Sequence, residues 1–150
     1  MIQYIRTDSD NVDFRSLITE LDAFLAQIDG KDHLFYAALN KIDFIPQVIV
    51  AYDQQIPVAC GAIRPFDEGV MEVKRMYVKP EWRGKGVAME ILRQLEKWVA
   101  DSGLRHIVLE TGRNQPAAIA FYRKCGYHQI PSWGVYRDAP NSVCFEKHLS

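Results

Sequence analysis

Met71-Glu-Val-Lys-Arg-Met-Tyr-Val-Lys-Pro-Glu-Trp-Arg-Gly-Lys-Gly-Val-Ala88 reads as a strand, a glycine-rich turn and the opening of a long helix. Val73, Met76, Tyr77 and Val78 carry strand propensity, Pro80 stops the strand, and Gly84 and Gly86 supply the backbone freedom of a tight turn. Val87, Ala88, Ile91, Leu92, Leu95, Trp98 and Val99 then recur at helical spacing, and Gly103 stands where a glycine would end the run. A helix N-terminus after such a turn presents unpaired N–H groups and a partial positive charge, which suits phosphate or another anion. Arg75, Lys79, Arg83 and Lys85 make the local field positive, so the expected guest is a phosphorylated small molecule.

Toward the N-terminus, Ile2 to Arg6 reads as a first strand, and the cluster at 7–10 supplies turn and N-cap residues. Phe14, Leu17, Ile18, Leu21, Phe24, Leu25 and Ile28 trace one apolar helical stripe, broken at Asp29-Gly30, and a shorter helix is expected over 32–40. Segments 47–52 and 57–63 are apolar runs around Asp53-Gln54-Gln55, the pattern of an antiparallel hairpin. Toward the C-terminus, 105–111 reads as a strand, and a strand–helix–strand unit of this length requires a parallel pair with a right-handed crossover. Pro116 suits the first turn of a helix ending near Lys124, and 127–130 and 143–149 read as closing strands. The fold class is therefore mixed α/β, or α+β: a mostly antiparallel mixed sheet with a central parallel strand pair and flanking helices.

At 150 residues and 48% hydrophobic content, the chain is expected to form a single domain over 1–150. A formal net charge of −1 argues against nucleic-acid and anionic-membrane partners, which need a sustained basic excess. No apolar run approaches the ~18 residues of a membrane span and no leader pattern opens the chain, so a cytoplasmic protein is expected. Cys60, Cys125 and Cys144 lack paired spacing and read as reduced core thiols. His33, His106, His128 and His148 show no metal-ligand spacing, so no metal is expected.

A second block, Ala118-Ile-Ala-Phe-Tyr122-Arg-Lys-Cys-Gly126-Tyr127, follows the glycine turn. With it, Arg83-Gly-Lys-Gly86-Val-Ala88 resembles the Arg/Gln-x-x-Gly-x-Gly/Ala signature of the GNAT superfamily of acyl-CoA-dependent N-acyltransferases, and the likeness extends from about Gly61 to the C-terminus. A Walker loop is excluded, because no glycine occupies its first position; a dinucleotide fingerprint starting at Gly84 is the runner-up, weakened by Met89 where its third glycine belongs.

The resemblance implies acetyl-CoA as co-substrate, without a metal. Backbone N–H groups of Arg83, Gly84, Lys85, Gly86, Val87 and Ala88 would hold the pyrophosphate, Met76 and Val78 would pair with the pantetheine arm, and a strand N–H near Tyr77 would polarise the thioester carbonyl. An asparagine commonly contacts the pantetheine just before the last helix; Asn114 and Gln115 both fit that place. Acyl transfer to an amine needs a base, because an alkyl amine has a pKa near ~10.4, and it needs a proton for the departing thiolate. Glu72 matches the family's catalytic glutamate, the other reading being an exposed strand residue paired with Lys74. Tyr122 matches the general acid beside the cofactor sulfur. The expected activity is transfer of the acetyl group of acetyl-CoA to a primary amine of a small molecule or peptide, by direct attack in a ternary complex. The alternatives are a non-catalytic acyl-CoA sensor and a protein-interaction module. A homodimer is left open, and 28–35 and 133–138 are expected to shape the acceptor pocket.

Overall fold

The computed structural model describes residues 1–30, 44–137 and 139–150. Seven strands form one sheet in the order β1-β2-β3-β4-β5-β7-β6. They are β1 (Ile2–Thr7), β2 (Gln47–Asp53), β3 (Ile56–Asp67), β4 (Val70–Val78), β5 (His106–Gly112), β6 (His128–Ile130) and β7 (Ser142–His148). Among the described residues three α-helices accompany them: α1 (Val12–Asp29), α2 (Val87–Asp101) and α3 (Pro116–Lys124). The one parallel pairing joins β4 to β5, and α2 makes the crossover between them, as the sequence pattern requires. The expected helix over 32–40 lies outside the described residues.

Two compact units can be distinguished by where contacts concentrate. The first comprises Met1–Arg64 and Lys74–Leu95. Here α1 begins at Val12 because the Asn11 side chain accepts the Phe14 N–H at 2.9 Å; the cap lies one residue beyond the 7–10 cluster, where Asp8 instead closes a turn onto the Asp10 N–H. Phe14, Leu17, Ile18 and Leu21 are buried against Val48, Val50, Cys60, Ala62 and Tyr77. The β2–β3 hairpin turns through Gln54 and Gln55, both at positive φ (48° and 72°), the geometry of a two-residue turn that matches strand twist. Gly61 lets α2 approach the sheet: a Cβ there would meet Met76 Sδ at 2.5 Å and Ile91 Cγ2 at 2.8 Å.

The second unit comprises Pro65–Val73 and Glu96–Ser150. β3 runs four residues beyond the expected end at Ile63, through Pro65, because pairing with β2 stops at Gln47↔Ile63 and no ladder donor is needed after it on that side. The parallel ladder covers Val70↔His106 to Val73↔Leu109, and β5 pairs antiparallel with β7 along its whole length. Ile107, Leu109, Cys144 and Phe145 are fully buried, as strands covered on both faces demand. Cys125, expected in the core, is only half-buried at the end of α3.

Candidate active site

The first unit contains the glycine turn. β4 does not run straight into it: Arg75 adopts φ +60°, a left-handed conformation that interrupts strand geometry as bulges do. The Arg75 carbonyl accepts the Cys60 thiol at 3.5 Å, and its buried guanidinium donates to Asp22 on α1 at 2.7 Å. Such a conformation costs ~1–3 kcal/mol in a non-glycine residue and persists only where the surroundings fix it. Tyr77 turns its ring into the α1 core, where its hydroxyl donates to Glu20 at 3.0 Å. The Tyr77 side chain is therefore committed to α1, and what remains for a ligand is its backbone.

Beyond Val78 a 3₁₀ turn, Pro80–Trp82, leads to Arg83. Arg83 is exposed, yet its Nε donates to the Val78 carbonyl at 3.0 Å and its guanidinium lies 5.5 Å from the Phe24 ring and 5.9 Å from that of Tyr77. Phe24 is correspondingly at the edge of the apolar stripe, 36% exposed. Gly84 and Gly86 both take positive φ, +77° and +81°, and a Cβ on either would meet nothing within 4 Å. The turn therefore faces open space and needs glycine for its conformation.

The carbonyl of Gly86 receives the first helical bond of α2, from the Glu90 N–H at 3.1 Å. The N–H groups of Val87, Ala88 and Met89 precede it and have no acceptor within the helix. Glu90 carries a negative charge into this first turn, but Arg93 grips it with two bonds of 2.9 and 2.6 Å. Those bonds, with that of Gln94, hold the Glu90 carboxyl below its ordinary pKa. With Lys85 exposed above the Trp82 ring, the turn suits an anion held by backbone donors, as a diphosphate would be.

The second unit contains the titratable candidates. Glu72 is 1% exposed on β4, opposite Val108, so the reading of an exposed strand residue fails. Tyr122 is buried on α3, its ring 6.0 Å from Tyr127 and 6.4 Å from Phe145. Burial pushes its phenol well above the ordinary range, so it stays protonated. Its hydroxyl makes no hydrogen bond to another described residue.

Gln115 sits at the N-cap of α3 without a side-chain cap bond, and its carboxamide folds over Gly112, where a Cβ would meet Nε2 at 3.1 Å. Asn114 beside it is exposed. The end of α3 is locked by a network that no sequence pattern announced: Lys147 donates to the Cys125 carbonyl at 2.9 Å and to both oxygens of Glu96 at 3.2 Å, and Glu96 also accepts the Tyr127 hydroxyl at 2.8 Å.

The pattern of the acetyltransferase (GNAT) family matches residues 14–127. An IAA acetyltransferase of Azospirillum brasilense is 36% identical over 137 residues, 89% of this chain and 88% of its own. An aminoglycoside N(6')-acetyltransferase type 1 of Stenotrophomonas maltophilia is 32% identical over 75% of this chain and 69% of its own. Among solved structures, one named as an acyl-CoA N-acyltransferase, from Klebsiella pneumoniae, superposes with a TM-score of 0.83 at 30% identity, covering 100% of this chain and 99% of that one. The chain belongs to the GNAT family of acetyltransferases. It is thereby an enzyme of acetyl-CoA-dependent acyl transfer.

Proposed function

We propose that this chain is a single acetyltransferase domain over 1–150 that moves the acetyl group of acetyl-CoA to a primary amine in a ternary complex. In this reading the turn of Arg83, Gly84, Lys85, Gly86, Val87 and Ala88 binds the pyrophosphate through backbone N–H groups, Met76 and Val78 offer strand hydrogen bonds to the pantetheine arm, and a strand N–H near Tyr77 polarises the thioester carbonyl. Asn114 is assigned to the pantetheine in preference to Gln115, because Gln115 is engaged over Gly112 while Asn114 is exposed. Glu72 takes a proton from the amine, directly or through water, as the nitrogen bonds to the thioester carbonyl carbon. The carbon–sulfur bond then breaks, and the departing thiolate takes the proton of the Tyr122 hydroxyl, which is restored from solvent.

The observation that carries this reading is the Tyr122 hydroxyl: it stands on a ring packed against Tyr127 and Phe145 and has no hydrogen bond to another described residue, so its proton is uncommitted. The relative named for an aminoglycoside 6'-amine supports an amine acceptor of this kind. Among the described residues no helix is long and apolar enough to cross a membrane, and Cys60, Cys125 and Cys144 are free thiols, which supports a reducing, cytoplasmic setting.

The test is thiol release from acetyl-CoA with a panel of polyamines, amino acids, aminoglycosides and peptide N-termini, alongside Glu72→Gln. The variant should keep coenzyme A affinity and lose kcat/KM, with the loss shrinking as pH rises and more amine is already neutral. Acetyl transfer to oxygen but to no amine would overturn the acceptor class. A wild-type pH profile in Glu72→Gln would overturn its role as base.

A further inference from the structure

The four histidines of this chain are far apart in sequence, yet the sheet gathers three of them on one face. Register places His106 of β5 directly opposite His148 of β7, and His128 of β6 opposite Glu146 of β7. Because Glu146 and His148 are two residues apart on one strand, all four side chains share a face. The ligand atoms of His106, Glu146 and His148 lie within 4.8 Å of one another, and His128 meets the carboxylate from the β6 side. Glu146 Oε1 lies 2.8 Å from His106 Nε2 and 3.5 Å from His148 Nε2, and Oε2 lies 3.3 Å from His128 Nε2. The His106 and His148 rings stack with centroids 4.2 Å apart, which aligns their nitrogens toward the same carboxylate.

We propose that His106, Glu146 and His148, whose ligand atoms all lie within 4.8 Å of one another, form a surface site for a divalent transition-metal ion of the zinc class, separate in its residues from the acetyl-transfer assignment. The donor spacing suits it. Metal–nitrogen bonds of about 2.0–2.1 Å and metal–carboxylate bonds of about 2.0–2.2 Å put neighbouring ligand atoms roughly 3–3.5 Å apart, a range that the observed separations nearly match. Imidazoles with one carboxylate favour Zn²⁺, Ni²⁺, Cu²⁺ and Co²⁺ over Mg²⁺ or Ca²⁺. His128 and His148 are largely exposed, at 64% and 62%, so an ion can enter from solvent and retain water in open positions. A bound ion would tie together the ends of β5 and β7. Since the ligands come together only in the folded sheet, binding stabilises the fold by mass action.

The experiment uses the full chain without a polyhistidine tag, stripped of metal by chelator and dialysis. Zn²⁺ and Ni²⁺ are titrated by calorimetry, melting is followed with each, and Co²⁺ is followed by its visible absorption. One ion per chain, a raised Tm with Zn²⁺ and no effect of Mg²⁺ are expected. His106→Ala and His148→Ala should each weaken Zn²⁺ binding about tenfold or more, and His128→Ala, outside the donor group, should leave it within about twofold. Circular dichroism establishes that each variant is folded. No saturable binding, or unchanged Zn²⁺ binding in a folded H106A/H148A double variant, would overturn the site.

Discussion

Arg83 donates its Nε to the carbonyl of Val78 at 3.0 Å, so the first residue of the glycine turn is tied back to the last residue of β4. Its guanidinium also lies over the Phe24 and Tyr77 rings, so the side chain braces the loop, and the binding role proposed for the turn falls to its backbone. Arg83→Ala should therefore weaken coenzyme A binding by loosening the turn. A lost hydrogen bond of ~1 kcal/mol predicts a Kd several-fold higher, with kcat at saturation little changed. Arg83→Lys should recover little, because lysine cannot present the planar fork to a carbonyl and two rings together. Calorimetric titration checks this; a wild-type Kd in Arg83→Ala would show that the brace is dispensable.

Gly86 allows a sharper comparison. Since a Cβ at Gly86 would meet nothing within 4 Å of the protein, Gly86→Val acts through backbone strain at φ +81° and by intruding on the ligand's space, not by a clash within the fold. Gly69, at φ +75° in the β3–β4 turn and equally open, is the control for strain alone. Both replacements should lower stability by ~1–2 kcal/mol. Gly86→Val alone should abolish the rise in Tm that coenzyme A produces in the parent chain. An intact rise in Gly86→Val would move the phosphate site elsewhere.

Buried phenols predict alkaline lability. Burial, with the Glu96 charge beside it, raises the Tyr127 phenol far above its ordinary range, and burial does the same for Tyr122. Each group's folded pKa thus lies above its unfolded value near ~10. Their contribution to stability is whole below about pH 10 and declines as pH rises beyond it, because only the unfolded chain can ionise there. Denaturant midpoints measured across this range should fall, and fall less steeply in Tyr127→Phe. A slope identical to the parent would show that Tyr127 ionises freely in the folded chain.

How much of this was readable beforehand follows from the range of each interaction. The glycine turn, α2 and the parallel crossover are local patterns of period and punctuation, and they stand where the sequence put them. The stripe of α1 was readable too, although its cap fell on Asn11, because several residues from 7 to 11 could each accept a backbone N–H. The left-handed Arg75 was not readable: nothing in its neighbours in sequence shows that Asp22 and Cys60 will hold it. The same holds for Glu96, Tyr127 and Lys147, and for the three histidines around Glu146. Spacing along the chain reports ligands on one strand or helix, whereas these come from three adjacent strands and are joined only by register.

Tyr122 carries the most exacting prediction, since its hydroxyl is assigned to the thiolate's departure and to nothing else. The ring packs among Phe121, Tyr127 and Phe145, and Tyr122→Phe preserves that packing. Because the hydroxyl has no hydrogen bond to another described residue, its removal strands no buried partner among them, and stability should change by less than ~1 kcal/mol. Coenzyme A affinity should also hold, as the pyrophosphate turn lies in Lys74–Leu95, a different segment of the chain. The defect belongs in kcat: losing a positioned general acid costs ~10²–10⁴ in rate, or roughly 3–5 kcal/mol of transition-state stabilisation. An acyl donor whose leaving thiol is more acidic needs less protonation, so it should recover much of the loss. Tyr122→Phe turning over at the parent rate, with chemistry shown to limit turnover, would mean that water or another group protonates the sulfur.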